Sequence, residues 1–205
     1  MVGLDGILWS GEGLMRGTYR EMIDQDMIGP GFNPNKRDSK VLLKAIGGAV
    51  SGMAVRDVKP VVQEVARRSL GHIDKKVVRQ LRQYSPKYNR LIAMATAPEP
   101  VVRLALHGLI DATGLSFSTT TILSSPFEIV DGRYSGNYAQ LDKLSAAQGL
   151  VESSGGQPIR VGIINGMSDI EWSSEHCREV LPINPGPALS RHLELVSGQL
   201  ESAIS

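Results

Sequence analysis

The chain has 205 residues, 22 basic against 21 acidic, for a net charge of +1. That length suits one globular core with a small inserted subdomain, while the balanced charge and the mere three Phe and two Trp argue against a polyanion or nucleic-acid partner. Cys177 is the only cysteine, which excludes an internal disulfide. With no apolar run near ~20 residues and no leader-like start, the expectation is a cytoplasmic protein without a membrane partner.

Val2 to Trp9 reads as a first strand, followed by the Gly-rich turn Ser10 to Gly13. Four helices follow with almost no strand signal: Thr18 to Met27, Ser39 to Val50 with Ser39 as N-cap, Asp57 to Leu70, and Ile73 to Tyr84. Between the first two lies the breaker cluster Ile28 to Asn35. From Arg90 the pattern alternates: a strand LIAMAT, a helix Glu99 to Leu109, and a β-rich stretch Leu115 to Ile122. The segment FEIVDGRYSG is a hairpin around an Asp-Gly turn. The helix Leu141 to Glu152, the strand RVGIIN, the helix Asp169 to Arg178, the strand EVLPIN and the helix Pro187 to Leu200 complete the chain. Short apolar strands alternating with helices predict a parallel α/β sheet covered on both faces. The expected domains are a core over residues 1–11 and 86–205 and a helical cap over 12–85. Gly47, Gly48 and Gly52 suggest close packing or a hinge within the cap, and Met15, Met22, Met27 and Met53 its core.

In such sheets ligands bind where strands end. Four strand ends carry polar residues here: Asp5; Thr96; Lys143, at the start of a helix; and INGMSD with Asn165 and Asp169. Taken singly each has a plain reading. Asp5 suits a turn, Lys143 a solvated helix, and Thr96 with Glu99 or Ser168 with Glu171 a capping box. Order and spacing together are more specific. They resemble the phosphoserine-phosphatase-like branch of the haloacid dehalogenase superfamily, across essentially the whole chain. The helical insert follows the first strand, where that branch carries its cap. Met94-Ala-Thr-Ala97, VDGRYSG, Lys143, IINGMSDIE and LPINPGPAL fall on successive motifs of the branch, and Glu12-Gly13 falls on its substrate-contacting Glu-Gly. The resemblance implies a Rossmann-like three-layer α/β/α fold with an all-helical cap.

The departures lie in the chemistry. The resemblance puts Gly3 on the nucleophilic, metal-binding aspartate, Ile7 on a threonine, and Asn165 on a second metal-binding aspartate. Mg²⁺ prefers carboxylate oxygens, so two ligand charges are missing. Asp169 and the Asp5 carbonyl would hold a metal weakly, and no cofactor is expected to be required. Asp5 matches the family's acid–base residue. Thr96 and Lys143, with Glu12, match its substrate- and anion-binding positions. The leading expectation is an enzyme moving protons through Asp5 on a small anionic metabolite, without a phosphoenzyme. Two alternatives stand beside it: a non-catalytic pseudophosphatase that binds a ligand or protein, and a weak, atypical phosphomonoesterase. A homodimer is compatible with all three.

Overall fold

The computed structural model describes residues 1–3, 8–9, 13–29, 38–84, 86–88 and 90–204, with the backbone alone for 197–204. In chain order the elements are β1 (Val2–Gly3), α1 (Leu14–Asp24), α2 (Ser39–Val50), α3 (Val55–Leu70), α4 (Lys75–Tyr84), β2 (Arg90–Pro98), α5 (Glu99–Thr113) and β3 (Thr119–Ser125). There follow β4 (Phe127–Val130), β5 (Arg133–Tyr138), α6 (Lys143–Ser153), β6 (Ile159–Ile164), α7 (Ile170–His176), β7 (Cys177–Pro182) and α8 (Pro187–Ile204). The described elements match the expected order, with ends shifted by a few residues. Residues 4–7 of the expected first strand lie outside the described residues.

The chain divides into two compact units, Leu4–Leu141 and Met1–Gly3 with Asp142–Ser205. In the larger unit β2 and β3 run parallel, joined by α5, from Arg90 opposite Thr119 to Pro98 opposite Ser125. The helices α1, α2 and α3 bury their apolar stripes together: Leu14, Met15, Tyr19, Met22, Leu42, Leu43, Ile46, Val58, Val61 and Val65 are all at most 5% exposed. Of the four cap methionines, Met15 and Met22 are in this core and Met27 and Met53 are half-buried. Helix α2 starts one residue earlier than a Ser39 cap would require. Asp38 is its N-cap, and its carboxylate accepts from the Val41 N–H at 2.8 Å.

The β4–β5 hairpin is stitched to the turn between α2 and α3. Gly52 N–H donates to Tyr134 O at 2.7 Å, Tyr134 N–H to Met53 O at 2.9 Å, and Val55 N–H to Gly132 O at 3.0 Å. The turn thus pairs with the hairpin through an antiparallel bridge, Ala54 opposite Arg133, reinforced by Arg133 Nη1 donating to Gly52 O at 2.8 Å. The cap's Gly52 takes φ +78°, a left-handed turn that a side chain would strain.

In the smaller unit β1 and β7 flank β6, both parallel to it, with Val2 opposite Ile163 and Ile159 opposite Cys177. Gly162 brings these layers close: a Cβ there would lie 2.8 Å from Cys177 Sγ and 3.3 Å from the Trp172 ring. Burial pushes the Cys177 thiol up to about 11. Since the thiolate is the nucleophile, iodoacetamide labelling at pH 8 should be at least about tenfold slower in native than in guanidinium-denatured protein. Equal rates would contradict this burial.

Among the described residues no helix is long and apolar enough to cross a membrane.

Candidate functional site

In the smaller unit the site is built where β6 ends. Ile164 is followed by Asn165, whose carbonyl accepts from Gly186 N–H at 2.9 Å. A 3₁₀ turn over Met167–Asp169 then leads into α7. This turn carries Asp169 inward, leaving it 2% exposed. Its Oδ1 accepts from Lys143 Nζ at 2.5 Å and from Trp172 Nε1 at 3.2 Å. Its Oδ2 lies 3.5 Å from the Asn165 N–H, a long contact.

Lys143 reaches Asp169 because it is the first residue of α6. Asp142 caps that helix, accepting from Leu144 N–H at 3.1 Å and from Ser145 Oγ at 2.8 Å. Hydrogen bonds from Ser145, side chain first and then backbone, hold the Asp142 carboxyl below its ordinary range. A lysine ammonium has three donors. One goes to Asp169, and the other two have no partner among the described residues.

The Ser168–Glu171 capping box does not form. Ser168 is inside the 3₁₀ turn, and Asp169 stands at the N-cap of α7 without a side-chain cap bond. A buried carboxylate gains more from an ammonium and an indole N–H than from capping amides. Trp172 escaped notice in the sequence. Its signal is the spacing: a donor three residues beyond Asp169 shares its face once a helical turn forms.

In the larger unit Thr96 is half-buried within β2, and its Oγ1 lies 3.4 Å from Ser39 Oγ. The Thr96 carbonyl accepts from Ser125 Oγ at 2.9 Å, and Ser125 Oγ in turn accepts from Leu141 N–H at 3.2 Å. Thr96 is not a helix cap. Strand β2 continues through Pro98, which is the N-cap of α5, so Glu99 is the first residue of that helix and pairs with Arg103. Neither Pro98 nor Pro100 has an N–H, and Glu99 puts a carboxylate in the first turn, so the start of α5 offers an anion little. The Ser39 hydroxyl beside Thr96 carried no sequence signal, because 57 residues separate the two.

Lys143, Asn165 and Asp169 are thus brought together in one unit, and Thr96 lies in the other. Gly3 ends the described part of β1. Asp5 and Glu12 lie outside the described residues.

The residues present do not fit a Mg²⁺ site of the kind the resemblance implies. Gly3 and Asn165 have no carboxylate, and Asp169 already accepts from Lys143 and Trp172. No group of three or more His, Cys, Asp or Glu side chains placed to hold a metal occurs among the described residues.

No protein-family model matches the chain, and no curated protein matches it in sequence. Solved structures do match it in fold. A protein of unknown function from Bordetella pertussis Tohama I superposes with a TM-score of 0.68 at 12% identity, over 96% of this chain and 94% of that one. An apo phosphoserine phosphatase gives 0.58 at 10% identity, over 93% and 88%. A haloacid dehalogenase family hydrolase from Salmonella enterica serovar Typhi gives 0.58 at 15% identity, over 93% and 64%. The chain therefore has the α/β, Rossmann-like fold of the haloacid dehalogenase phosphatases, helical cap included.

Proposed function

We propose that the chain is a divergent haloacid dehalogenase-superfamily protein, of the phosphoserine-phosphatase-like branch, that binds a small anionic metabolite and performs no Mg²⁺-dependent phosphoryl transfer. The observation that carries this reading is the buried Asp169 carboxylate, which accepts from the half-buried Lys143 ammonium and from Trp172. The carboxylate that resembles the fourth motif's is paired with an ammonium of the same chain, and the resemblance puts Gly3 and Asn165 on the branch's two metal-binding aspartates. Losing a covalent nucleophile costs an enzyme orders of magnitude in rate. Anion recognition survives that loss. In the smaller unit Lys143 keeps two donors for an anion.

The test has two arms. With phosphoserine or an aryl phosphate in excess Mg²⁺, the purified protein should show no turnover. Family-like rates that Asp5→Asn abolishes would overturn the proposal. With chelator present, phosphate, sulfate or a small carboxylate should still stabilise the fold, by about 2.7 kcal/mol at a hundred times its dissociation constant. Stabilisation that requires Mg²⁺, or that Lys143→Met leaves untouched, counts against the site.

The double substitution Gly3→Asp with Asn165→Asp restores both carboxylates that the resemblance calls for. It should create Mg²⁺ binding, seen by calorimetry, that the parent lacks. No gain in Mg²⁺ affinity would mean that these two positions are not the degenerate metal ligands.

Asp5 decides whether binding is followed by reaction. Once a ligand is in hand, Asp5→Asn should bind it but fail to turn it over, because the amide keeps the shape and cannot carry a proton. Identical product formation in both proteins would remove Asp5 from the chemistry.

A further inference from the structure

The near-zero net charge conceals a segregation. Residues 75–90 hold six cations, Lys75, Lys76, Arg79, Arg82, Lys87 and Arg90, and no carboxylate, which leaves 16 basic against 21 acidic residues elsewhere. All six are exposed. Helix α4 turns Val77, Val78 and Leu81 into the core and sets Lys75, Arg79 and Arg82 along an exposed flank at i, i+4 and i+7, with Arg82 also donating to the Thr113 carbonyl. Elsewhere several cations are matched by carboxylates: Arg67 and Arg68 by Glu64, Arg68 also by Glu21, Arg103 by Glu99 and Lys143 by Asp169. Lys75, Lys76, Arg79 and Lys87 have no carboxylate partner among the described residues, and the Arg79 Nε donates only to the Lys75 carbonyl.

We infer that the exposed face of α4 is a docking surface for the phosphate backbone of a nucleic acid, bound without regard to sequence. The Lys75–Arg82 stripe rises roughly 10 Å along the helix, about three successive phosphates of one strand. Protein interfaces centre on buried aromatic or aliphatic anchors. No large exposed hydrophobic residue lies within 75–90, and Tyr84 and Tyr88 are half-buried and stacked on each other at 5.9 Å. Insertion into a lipid surface also needs an apolar face, and that of α4 is already buried. What remains on the surface is positive and polar, the composition of a backbone-binding interface.

The test is fluorescence anisotropy of the full chain with labelled single-stranded and duplex oligonucleotides over a salt series. Four phosphate contacts predict a log–log slope of about −3.6 and a loss of about 100-fold in affinity between 50 and 200 mM salt. The triple variant Lys75→Ala, Lys76→Ala, Arg79→Ala changes exposed positions only and should flatten the slope to about −0.9, with unchanged circular dichroism and melting. Three results would overturn the inference: no binding at the lowest salt, a slope the triple variant does not change, or tighter binding to phosphatidylserine vesicles or polyglutamate than to either oligonucleotide.

Discussion

Removing the Lys143 ammonium should cost the fold about 2–3 kcal/mol at neutral pH. Lys143→Met keeps the length of the side chain and its apolar stem while deleting the charge. It leaves the Asp169 carboxylate, 3% exposed, with Trp172 Nε1 and a long backbone contact as its partners. Breaking a fully buried pair typically costs about 3–5 kcal/mol, because the remaining ion is stranded away from water. The figure here is set lower because Lys143 itself keeps 22% of its surface exposed. Urea denaturation of the parent and the variant measures the difference. The double variant Lys143→Met with Asp169→Asn removes the stranded charge and keeps an acceptor for Trp172, so it should recover at least half the loss, a coupling that a double-mutant cycle resolves. A single-variant cost below about 1 kcal/mol would put the pair in the class of surface ion pairs and weaken the view that Lys143 neutralises Asp169.

The elements were legible because each carries its own periodicity. The four cap helices and the Asp-Gly hairpin follow from local pattern alone, and α2 runs over the expected residues 39–50 with its cap one residue earlier, at Asp38. Capping was less legible. Thr96-x-x-Glu99 and Ser168-x-x-Glu171 have the right spacing, but spacing does not reveal that β2 runs on through Pro98, or that the buried Asp169 faces the half-buried Lys143 ammonium. The contacts span 26 residues from Lys143 to Asp169 in one unit and 57 from Ser39 to Thr96 in the other, beyond any periodic signal. The family's motif order bridged the first of these distances, since it named both partners without showing that they touch. The basic stripe on α4 illustrates a different loss. It is visible in residues 75–90 read locally and vanishes in the whole-chain charge. The hairpin stitched to the turn after α2 also bears on the expected hinge. A hinge at Gly52 would have to break the Gly52–Tyr134 and Val55–Gly132 bonds or carry the hairpin with it.

That same contact gives the second large effect, a pair of adjacent glycines with opposite outcomes. Gly47 and Gly48 sit in the last turn of α2, where alanine is favoured over glycine by up to about 0.5–1 kcal/mol. At Gly48 a new Cβ meets nothing within 4 Å. Gly48→Ala should therefore stabilise the protein by about that amount. At Gly47 a new Cβ would stand 2.7 Å from the Gly136 carbonyl oxygen, 3.2 Å from the Tyr138 ring and 3.4 Å from the Phe127 ring. The 2.7 Å contact is with backbone, which cannot rotate aside as a side chain can. Gly136 is itself at φ +90°, and a Cβ there would lie 2.9 Å from Ser51 Oγ, so helix and hairpin approach glycine to glycine. Overpacking of this kind costs about 1–3 kcal/mol. Gly47→Ala should destabilise by about 1–2 kcal/mol after the helix gain is counted, and Gly47→Val by more. Because the two positions share one helix, the propensity contribution cancels between them, and the difference in urea midpoint isolates the steric contact with the hairpin. Two stabilising alanines would show that the hairpin yields easily and that the α2 contact is loose. Opposite signs would establish that the glycine at 47 is there to let the hairpin lie against the cap.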